Sequence, residues 1–353
     1  MSKHKTAIIG CGRIANTHAR GYSRHPDIDM VAGVDINAEG LTQFRETWNI
    51  PQGFNDHLQM LEQVKPELVS ICTYADLHWP MLKACVDAGV KGIICEKPML
   101  NSPSELPKLR ALVQESGVKI AIGHMRRYGM AHVRARDLIQ AGEIGDPVFV
   151  IGQLSGGGLA EMGSHWIDLL RYLLNDADVQ TVLAQTNMHD SIVCGHPQED
   201  DATLRMTFDG DVEGVFISGQ KQLKGDVLTI INGTQGSIQI IGEDDLIVAS
   251  PSGVRTEVLK DDQPQEWHSY GLELPEPWWE YKWDGLMRDY VNWVEGGEEP
   301  GIGFENAIKA TEIYLAGYLS AIERRIVELP LNGDELTLDQ WPGHLLKEEA
   351  AKR

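Results

Sequence analysis

The chain has 353 residues, 42% of them hydrophobic and 24% charged, which is an ordinary composition for a soluble globular protein long enough to form two domains. Its 31 basic and 52 acidic residues give a formal net charge of −21, which repels phosphate backbones and anionic membrane surfaces and argues against nucleic-acid or membrane partners. Because the five cysteines form no Cys-x-x-Cys pair and no apolar run is long, we expect a cytoplasmic protein without disulfides, a metal site or a membrane span.

The first predicted elements are a strand at Thr6–Ile9, a glycine turn and the start of a helix. The turn has the pattern G-x-G-x-x-A, in which Gly10 permits the tight turn and Gly12 lets the backbone approach a pyrophosphate. Backbone N–H groups at the helix start, at Arg13 and Ile14, would then hold the phosphates. The turn therefore predicts a dinucleotide site.

A second apolar strand, Met30–Val34, ends in Asp35, about twenty residues past Gly12. This spacing is typical of a carboxylate that binds a ribose, although Asp35 is alternatively a turn residue before Ile36. No basic residue follows directly, so a 2′-phosphate would meet negative charge at this position. We therefore expect NAD rather than NADP as the cofactor.

Strands and helices continue to alternate as far as Gly123. Helices are predicted at 38–48, 56–63, 78–88 and 103–116, and strands near 53 and at 68–72, 92–95 and 119–123. This alternation implies right-handed crossovers and a parallel sheet covered on both faces. Residues 1–123 are therefore predicted to form a doubly wound α/β domain that binds a dinucleotide.

Polar residues follow two of these strands, at the sheet edge where α/β proteins carry their chemistry. Thr73 and His78 follow the strand at 68–72 and are candidate cofactor neighbours; a helix-capping Thr and a packed His are the alternative. Glu96, Lys97 and Pro98 follow the strand at 92–95. A surface ion pair with a strand-ending Pro would explain them, but a Lys set against a buried strand end also suits a catalytic role.

Past Gly123 a helix is predicted at 131–141 and a strand at 148–153, before a glycine run at 156–158. Glu161, His165 and Asp168 then follow at spacings that a helix would place on one side. A His flanked by two acids beside a glycine-rich loop is a candidate acid or base, with a packed core His as the alternative. Whether the helix reaches back to Glu161 is left open by Gly163.

Alternating segments from 179 to about 258 predict an antiparallel sheet, with strands at 202–208, 212–218, 227–232 and 237–241. One face of such a sheet can bind a partner, and we expect a homodimer or homotetramer formed through it. Helices are predicted at 284–295 and 304–323, so that 124–330 is a second domain and 331–353 a polar tail. Tryptophans in the irregular segment between sheet and helices suit packing or stacking on a sugar ring: Trp267, Trp278, Trp279 and Trp283.

Several of these motifs together resemble the Gfo/Idh/MocA family, which includes glucose-fructose oxidoreductase and inositol dehydrogenase. They are the glycine turn, Asp35, the segment 73–78, Glu96-Lys97-Pro98, Met125-Arg126-Arg127-Tyr128 and Gly163-Ser164-His165-Trp166-Ile167-Asp168. The resemblance spans Thr6 to about Pro330. It implies an N-terminal Rossmann domain, a C-terminal α/β domain with an open, mostly antiparallel sheet, and NAD(P)-dependent oxidation or reduction of a sugar, inositol or related polyol.

The resemblance also assigns roles to individual residues. It makes Lys97 the catalytic lysine that orients the alcohol oxygen, His165 the acid or base, and Asp168 its companion, with Glu161 in the same catalytic group. It places Glu96 beside the nicotinamide ribose and implies a cis peptide before Pro98. The implied cofactor-binding residues are Gly10, Gly12, Arg13, Ile14, Asp35, Thr73, His78, Glu96, Lys97 and Arg126. The implied substrate-binding residues are Lys97, Arg127, Tyr128, Glu161 and His165.

Two positions depart from the family pattern. Glu161 stands where the family often has Asp, and Tyr74-Ala75 replaces the usual Pro-Asn after Thr73. The leading hypothesis is an NAD-dependent dehydrogenase of sugars or polyols. An NAD-dependent glycoside hydrolase or lyase that uses transient oxidation is the first alternative, and a non-catalytic sensor of dinucleotide or sugar is the second.

Overall fold

The computed structural model describes residues 3–188, 192–193, 196–219, 228–242, 245–259, 281–339 and 342–345. Trp267, Trp278 and Trp279 lie outside the described residues, so their expected packing or stacking stays a prediction. The chain divides into two compact units, each assembled from separate stretches. The first unit comprises 1–100, 107–125 and 270–307, and the second comprises 101–106, 126–269 and 308–353.

The described helices and strands have the following bounds. The helices are α1 (Arg13–Arg24), α2 (Ala38–Trp48), α3 (His57–Val64), α4 (His78–Asp87), α5 (Glu105–Ser116), α6 (Met130–Gln140), α7 (Gly163–Leu173), α8 (Tyr281–Val294) and α9 (Phe304–Glu323). The first strands are β1 (His4–Ile9), β2 (Ile28–Val34), β3 (Gln52–Phe54), β4 (Leu68–Ile71), β5 (Gly92–Cys95), β6 (Lys119–Ile122), β7 (Pro147–Leu154) and β8 (Val179–Asn187). The others are β9 (Ile192–Val193), β10 (His196–Pro197), β11 (Asp201–Phe208), β12 (Glu213–Gly219), β13 (Leu228–Gly233), β14 (Ser237–Ile241), β15 (Asp245–Ser250), β16 (Gly253–Val258) and β17 (Val327–Glu328).

The first unit contains a six-stranded sheet in the order β3-β2-β1-β4-β5-β6, and every neighbouring pair is parallel. β4 and β5 are buried along their whole length, as expected of central strands covered on both faces. The order reverses between β1 and β4, which is the switch point where such sheets bind ligands. This confirms the predicted doubly wound fold.

Side-chain caps explain why two of the helices of this unit begin where they do. Asn37 accepts hydrogen bonds from the amides of Glu39 and Gly40 at the start of α2. Asp56 accepts from the amides of Leu58 and Gln59 at the start of α3. The helix predicted at 56–63 therefore begins at the residue that caps α3.

The second unit contains a nine-stranded sheet in the order β16-β15-β14-β13-β7-β12-β11-β8-β17. All its pairs are antiparallel except β7 with β12, so the sheet is mixed but mostly antiparallel, as predicted. α7 packs on β7 and β12, where Gly152 leaves room for the Trp166 ring. Buried side chains on this face include Val150 and Phe216.

The opposite face of the same sheet carries apolar side chains that are only partly buried. Ile151 of β7 pairs with Val215 of β12 and with Ile230 of β13, and all three are partly exposed. Two residues along β12, Ile217 has the same intermediate exposure. The face is therefore more apolar than a solvated sheet surface needs to be.

The division by contacts differs from the predicted domains at two stretches. Residues 101–106, predicted within the first domain, group with the second unit. α8, predicted within the second domain, groups with the first unit and packs against α1. An ion pair between Arg24 and Asp284, at 3.1 Å, and a hydrogen bond from the Ile122 amide to the Ile302 carbonyl, at 3.0 Å, join 270–307 to the rest of the first unit. Within the described residues, no helix is both long and apolar enough to span a bilayer.

Candidate functional site

The glycine turn after β1 has the geometry that a dinucleotide site requires. Gly10 has a φ of +85°, and a Cβ atom there would lie 2.7 Å from the carbonyl oxygen of Cys72. At Gly12, by contrast, a Cβ atom would meet no described atom within 4 Å, which leaves open space at the start of α1. The N-cap residue of α1, Gly12, makes no side-chain cap, so the first amides of the helix are available to bind a phosphate.

Asp35 lies directly beside this turn. Its Oδ2 accepts a hydrogen bond from the Cys11 amide at 2.8 Å, and its Oδ1 accepts one from the Asn37 amide at 2.8 Å. The bond from the Asn37 amide forms the turn that was the alternative interpretation of Asp35. The bond from the Cys11 amide joins the carboxylate to the glycine turn. Asp35 is partly exposed, so lone pairs on both oxygens can accept from the hydroxyls of a ribose. The turn and Asp35 together fit an NAD molecule.

His78 ties together the loops that follow β4 and β5. It is fully buried, with Nδ1 3.0 Å from the Pro98 carbonyl and Nε2 3.1 Å from the Thr73 carbonyl. Burial lowers the pKa of His78. The peptide between Lys97 and Pro98 is cis, as the resemblance implied. His78 thus has the packed role considered as the alternative, and direct cofactor contact by His78 or Thr73 stays a prediction.

Glu96 is a buried carboxylate at the end of β5. Its Oε1 lies 3.0 Å from Nε2 of His18, and its Oε2 accepts from the Lys97 amide at 3.2 Å. Burial raises the pKa of Glu96, but the hydrogen bond and charge of His18, together with Lys97, outweigh burial and lower it overall. The partly exposed Lys97 side chain therefore follows directly after an ionised, fixed carboxylate. His18 was not singled out in the sequence, where it resembles any other polar residue of an amphipathic helix.

In the second unit, α7 begins at Gly163, so Glu161 lies in the turn before the helix. The predicted grouping of three residues on one helix face therefore applies only to His165 and Asp168. His165 is 6% exposed and stands in the first turn of α7, where its amide donates to the Met162 carbonyl. Glu161 is partly exposed.

Asp168 forms a buried ion pair with Arg127. Arg127 Nε lies 2.7 Å from Asp168 Oδ2 and Nη2 lies 2.8 Å from Oδ1, while Nη1 lies 2.5 Å from Asp176. Burial lowers the pKa of Arg127, and the two carboxylates more than reverse this. Both side chains are almost inaccessible, at 4% and 2% exposed. The pair anchors α7, and the expected substrate role of Arg127 and catalytic role of Asp168 stay predictions that this geometry does not favour.

Arg126 has a different environment from its neighbour Arg127. Its guanidinium lies over the Trp166 ring, 4.4 Å from the ring centroid. Burial lowers the pKa of Arg126 to about 10, still well above neutrality. Arg126 therefore presents a positive charge stacked on an aromatic face. Tyr128, at the end of the same short 3₁₀ helix, is partly exposed.

Glu199 and Tyr318 hold the glycine-rich segment before α7, and sequence reasoning missed both. The Glu199 carboxyl accepts from the Leu159 amide and from the Tyr318 hydroxyl, at 3.0 Å for the latter. A Cβ atom at Gly158 would lie 2.3 Å from Gln198 Nε2 and 2.5 Å from Glu199 Oε1, so a side chain there would displace both groups. Burial raises the pKa of Glu199. No motif marks these residues, because their partners lie far away in the chain.

No group of three or more His, Cys, Asp and Glu side chains in the described part of the chain is arranged to hold a metal ion. Cys11, Cys72, Cys85 and Cys95 are buried free thiols, and burial raises the pKa of each. They are therefore protonated and poorly nucleophilic at neutral pH. Glu96, Lys97 and the glycine turn stay the candidate functional residues of the first unit.

Comparison with known proteins agrees with this picture. Residues 4–124 match a family model described as an oxidoreductase family with an NAD-binding Rossmann fold, and residues 149–239 match the GFO/IDH/MocA C-terminal domain. The D-apiose dehydrogenase of Paraburkholderia graminis is 25% identical over 93% of this chain and 90% of that protein. The myo-inositol 2-dehydrogenase of Thermotoga maritima is 23% identical over 92% of this chain and 98% of its own.

A solved levoglucosan dehydrogenase in complex with NADH and levoglucosan has the same fold, with a TM-score of 0.79. The superposition covers 94% of this chain and all of that one at 20% identity. The two family models, the doubly wound sheet with its glycine turn and Asp35, and the mixed second sheet all lead to one conclusion. The chain is a member of the Gfo/Idh/MocA family of NAD-binding oxidoreductases.

Proposed function

We propose that the protein is an NAD-dependent dehydrogenase that transfers a hydride between a secondary hydroxyl of a sugar, inositol or related polyol and nicotinamide. The observation that carries this proposal is the position of Lys97, which directly follows the fixed carboxylate of Glu96 at the sheet edge that also carries the glycine turn. The curated relatives that span nearly the whole chain are named as dehydrogenases of an apiose and an inositol. Those names do not favour the glycoside-cleaving alternative or the sensor.

In the proposed reaction, NAD⁺ held at the glycine turn would supply the hydride acceptor, and residues of the chain bind the alcohol oxygen and transfer its proton. The ammonium group of Lys97 donates a hydrogen bond to this oxygen and stabilises the alkoxide-like charge that develops on it. His165 accepts the hydroxyl proton in the direction of oxidation and returns it in reduction. Glu161 and Tyr128 are proposed to bind neighbouring hydroxyls, and Arg126 to contact the cofactor.

The proposal includes NAD rather than NADP as the cofactor. Asp35 would put a carboxylate beside the adenosine ribose, where the 2′-phosphate of NADP would lie, and no Arg follows it directly in the sequence. Repulsion between the two negative charges supports NAD. Predominant turnover with NADP⁺ would contradict this part of the proposal.

A panel of sugars, uronates and inositols, assayed with NAD⁺ and NADP⁺ for reduced-cofactor absorbance, tests the proposal. With the best substrate, we expect Lys97→Ala and His165→Asn each to lower kcat by about 10²–10⁴-fold while NAD⁺ affinity changes little. Lys91→Ala is the matched control, because Lys91 directly precedes β5, is 64% exposed and pairs with Glu67. Near-normal turnover by Lys97→Ala would refute the assignment.

We also propose that the chain forms a homodimer or homotetramer through the partly exposed apolar face of the second sheet. Ile151, Val215 and Ile230 lie in register on three neighbouring strands at the middle of this face. A lysine at position 230 would place a charge among them without entering the core. We expect Ile230→Lys to lower the molar mass measured by light scattering with no change in circular dichroism, whereas an unchanged mass would contradict the interface.

A further inference from the structure

His18 is a buried histidine that the proposed reaction does not use. It lies in the middle of α1 with no exposed surface, and its Nε2 atom is 3.0 Å from Oε1 of Glu96. A histidine and a carboxylate buried together at this distance form a charge-assisted hydrogen bond, which is among the stronger polar contacts in proteins. The contact joins the helix that follows the glycine turn to the residue that precedes Lys97.

The contacts on the other side of the ring give Nδ1 a partner as well. Nδ1 of His18 lies 3.0 Å from the Ser70 hydroxyl, and the Tyr22 hydroxyl lies 2.7 Å from the same Ser70 oxygen. Burial raises the pKa of Tyr22, so its hydroxyl keeps the proton and can donate. If Tyr22 donates to Ser70 and Ser70 to Nδ1, then Nε2–H of His18 donates to Glu96. Every donor in this buried chain then has one acceptor.

Packing prevents the carboxylate from turning away from His18. The Trp283 ring lies 4.4 Å from the His18 ring and covers it. A Cβ atom at Gly123 would lie 2.6 Å from Glu96 Oε1, so the backbone at this glycine closes the other side. The Lys97 amide holds the second oxygen. The orientation of Glu96 is therefore fixed by side chains and backbone from several elements of the first unit.

The sheet order indicates which half of the cofactor Glu96 would face. A dinucleotide lies across the switch point between β1 and β4, with one nucleotide on each side. Asp35 follows β2 on one side and marks the adenosine ribose, so the nicotinamide half lies on the side of β4 and β5. Glu96, at the end of β5, is then the buried negative charge on the nicotinamide side. This placement rests on the proposed function.

We propose that His18 is a positioning residue that holds Glu96 as an ionised and immobile carboxylate on the nicotinamide side of the cofactor site. The fixed negative charge stabilises the positive ring of NAD⁺ and has no such effect on the neutral ring of NADH. His18 therefore sets the relative affinity of the site for the oxidised and reduced cofactor without touching either.

Glutamine and asparagine separate the two contacts of His18. A glutamine amide reaches the position of Nε2 and keeps a donor for Glu96, whereas the shorter asparagine reaches only the position of Nδ1 and keeps a partner for Ser70. Neither side chain can carry a charge. The full-length variants His18→Asn and His18→Gln are therefore a matched pair that differs in the contact with Glu96.

The test is the ratio of the Kd values for NAD⁺ and NADH, measured by calorimetry on the full-length chain. We expect His18→Asn to reduce the preference for NAD⁺ by about tenfold, since a buried acceptor that loses its donor is destabilised as an anion, and His18→Gln to stay within about twofold. Glu96→Gln should reproduce the change, and the double variant His18→Asn/Glu96→Gln should show no more than Glu96→Gln alone.

Equal shifts in His18→Asn and His18→Gln, or additive effects in the double variant, would overturn the inference. If His18→Asn fails to fold, His18→Gln and Glu96→Gln decide, because a shift as large in the first as in the second also overturns it. The assay needs no sugar. A wild-type chain that binds both cofactor forms but oxidises no polyol contradicts the proposed function alone, and one that binds neither contradicts both.

Discussion

Glu96 in the first unit and Glu199 in the second are both buried, at 5% and 3% exposed, yet their pKa values move in opposite directions. Burial raises the pKa in each case. At Glu96, His18 and Lys97 outweigh burial, whereas at Glu199 the amide of Leu159 and the hydroxyl of Tyr318 do not. At these two glutamates the sign of the pKa shift therefore follows from the partners of the carboxyl group rather than from its depth of burial.

The two glutamates consequently suit different tasks. An ionised carboxylate supplies a fixed electrostatic field, as the proposed reaction needs beside a cationic ring. Glu199, whose pKa burial raises, instead holds the segment that leads into α7, through Leu159 and Tyr318.

The largest effect is expected at a third buried carboxylate, Asp168 of α7, which like Glu96 has a partner that can carry positive charge. Asp168→Ala leaves the Arg127 guanidinium, 4% exposed, without its bidentate partner. Because Asp176 still lies 2.5 Å from Nη1, the buried charge loses only one of its two carboxylates, and we expect the free energy of unfolding to fall by about 3 kcal/mol, at the low end for a broken buried ion pair. Urea unfolding followed by circular dichroism measures this change.

The double variant Arg127→Met/Asp168→Leu is the control for this experiment. It removes both charges together, and its stability should return to within about 1–2 kcal/mol of the wild type. Asp176, the other partner of Arg127, is 23% exposed and can be solvated in this variant. A single variant no less stable than the double would show that the pair is not what anchors α7.

Because the pKa shifts of Glu96 and Glu199 have opposite signs, their contributions to stability should depend on pH in opposite ways. The pKa of Glu199 is raised in the folded state, so its contribution to stability is complete below the ordinary value of 4.5 and is lost as the pH rises through the folded pKa. The pKa of Glu96 is lowered, so its contribution is present above 4.5 and is lost as the pH falls through the folded pKa. Glu199→Gln should therefore remove the loss of stability that begins as the pH rises above about 4.5, and Glu96→Gln the loss that begins as the pH falls below about 4.5.

Urea unfolding of the two variants and the wild type across pH measures these slopes. Each variant serves as the control for the other, because both replace one buried carboxyl group by an amide of the same shape. The prediction would be wrong if both variants changed the dependence of stability on pH on the same side of pH 4.5.

Periodicity and spacing predicted much of the fold because the signals involved are local. β5 and α9 have the predicted bounds, since β5 is a short apolar run and apolar residues recur along α9 at helical spacing. The parallel pairing of β7 with β12 was not predicted, because strand direction depends on how distant segments meet. The start of α7 at Gly163 likewise needed the structure.

The same limit applies to the candidate site. Asp35 was found because its distance from the glycine turn is fixed by one strand-helix-strand unit. His18 and Glu96 are 78 residues apart, and Tyr318 and Glu199 are 119 apart. A hydrophobic pattern tells which positions are buried, but it does not tell which buried polar groups become partners.

The assembly of the first unit from separate stretches has a consequence for the order in which the protein can fold during synthesis. α8 packs on α1, and Lys119 donates to the Trp293 carbonyl, so the doubly wound unit lacks one of its covering helices until residues 281–307 have been made. By then the strands of the second sheet as far as β16 have already left the ribosome. A fragment ending at Gly123 would expose the uncovered flank of α1, and the first unit would be completed only after residue 307 has been made.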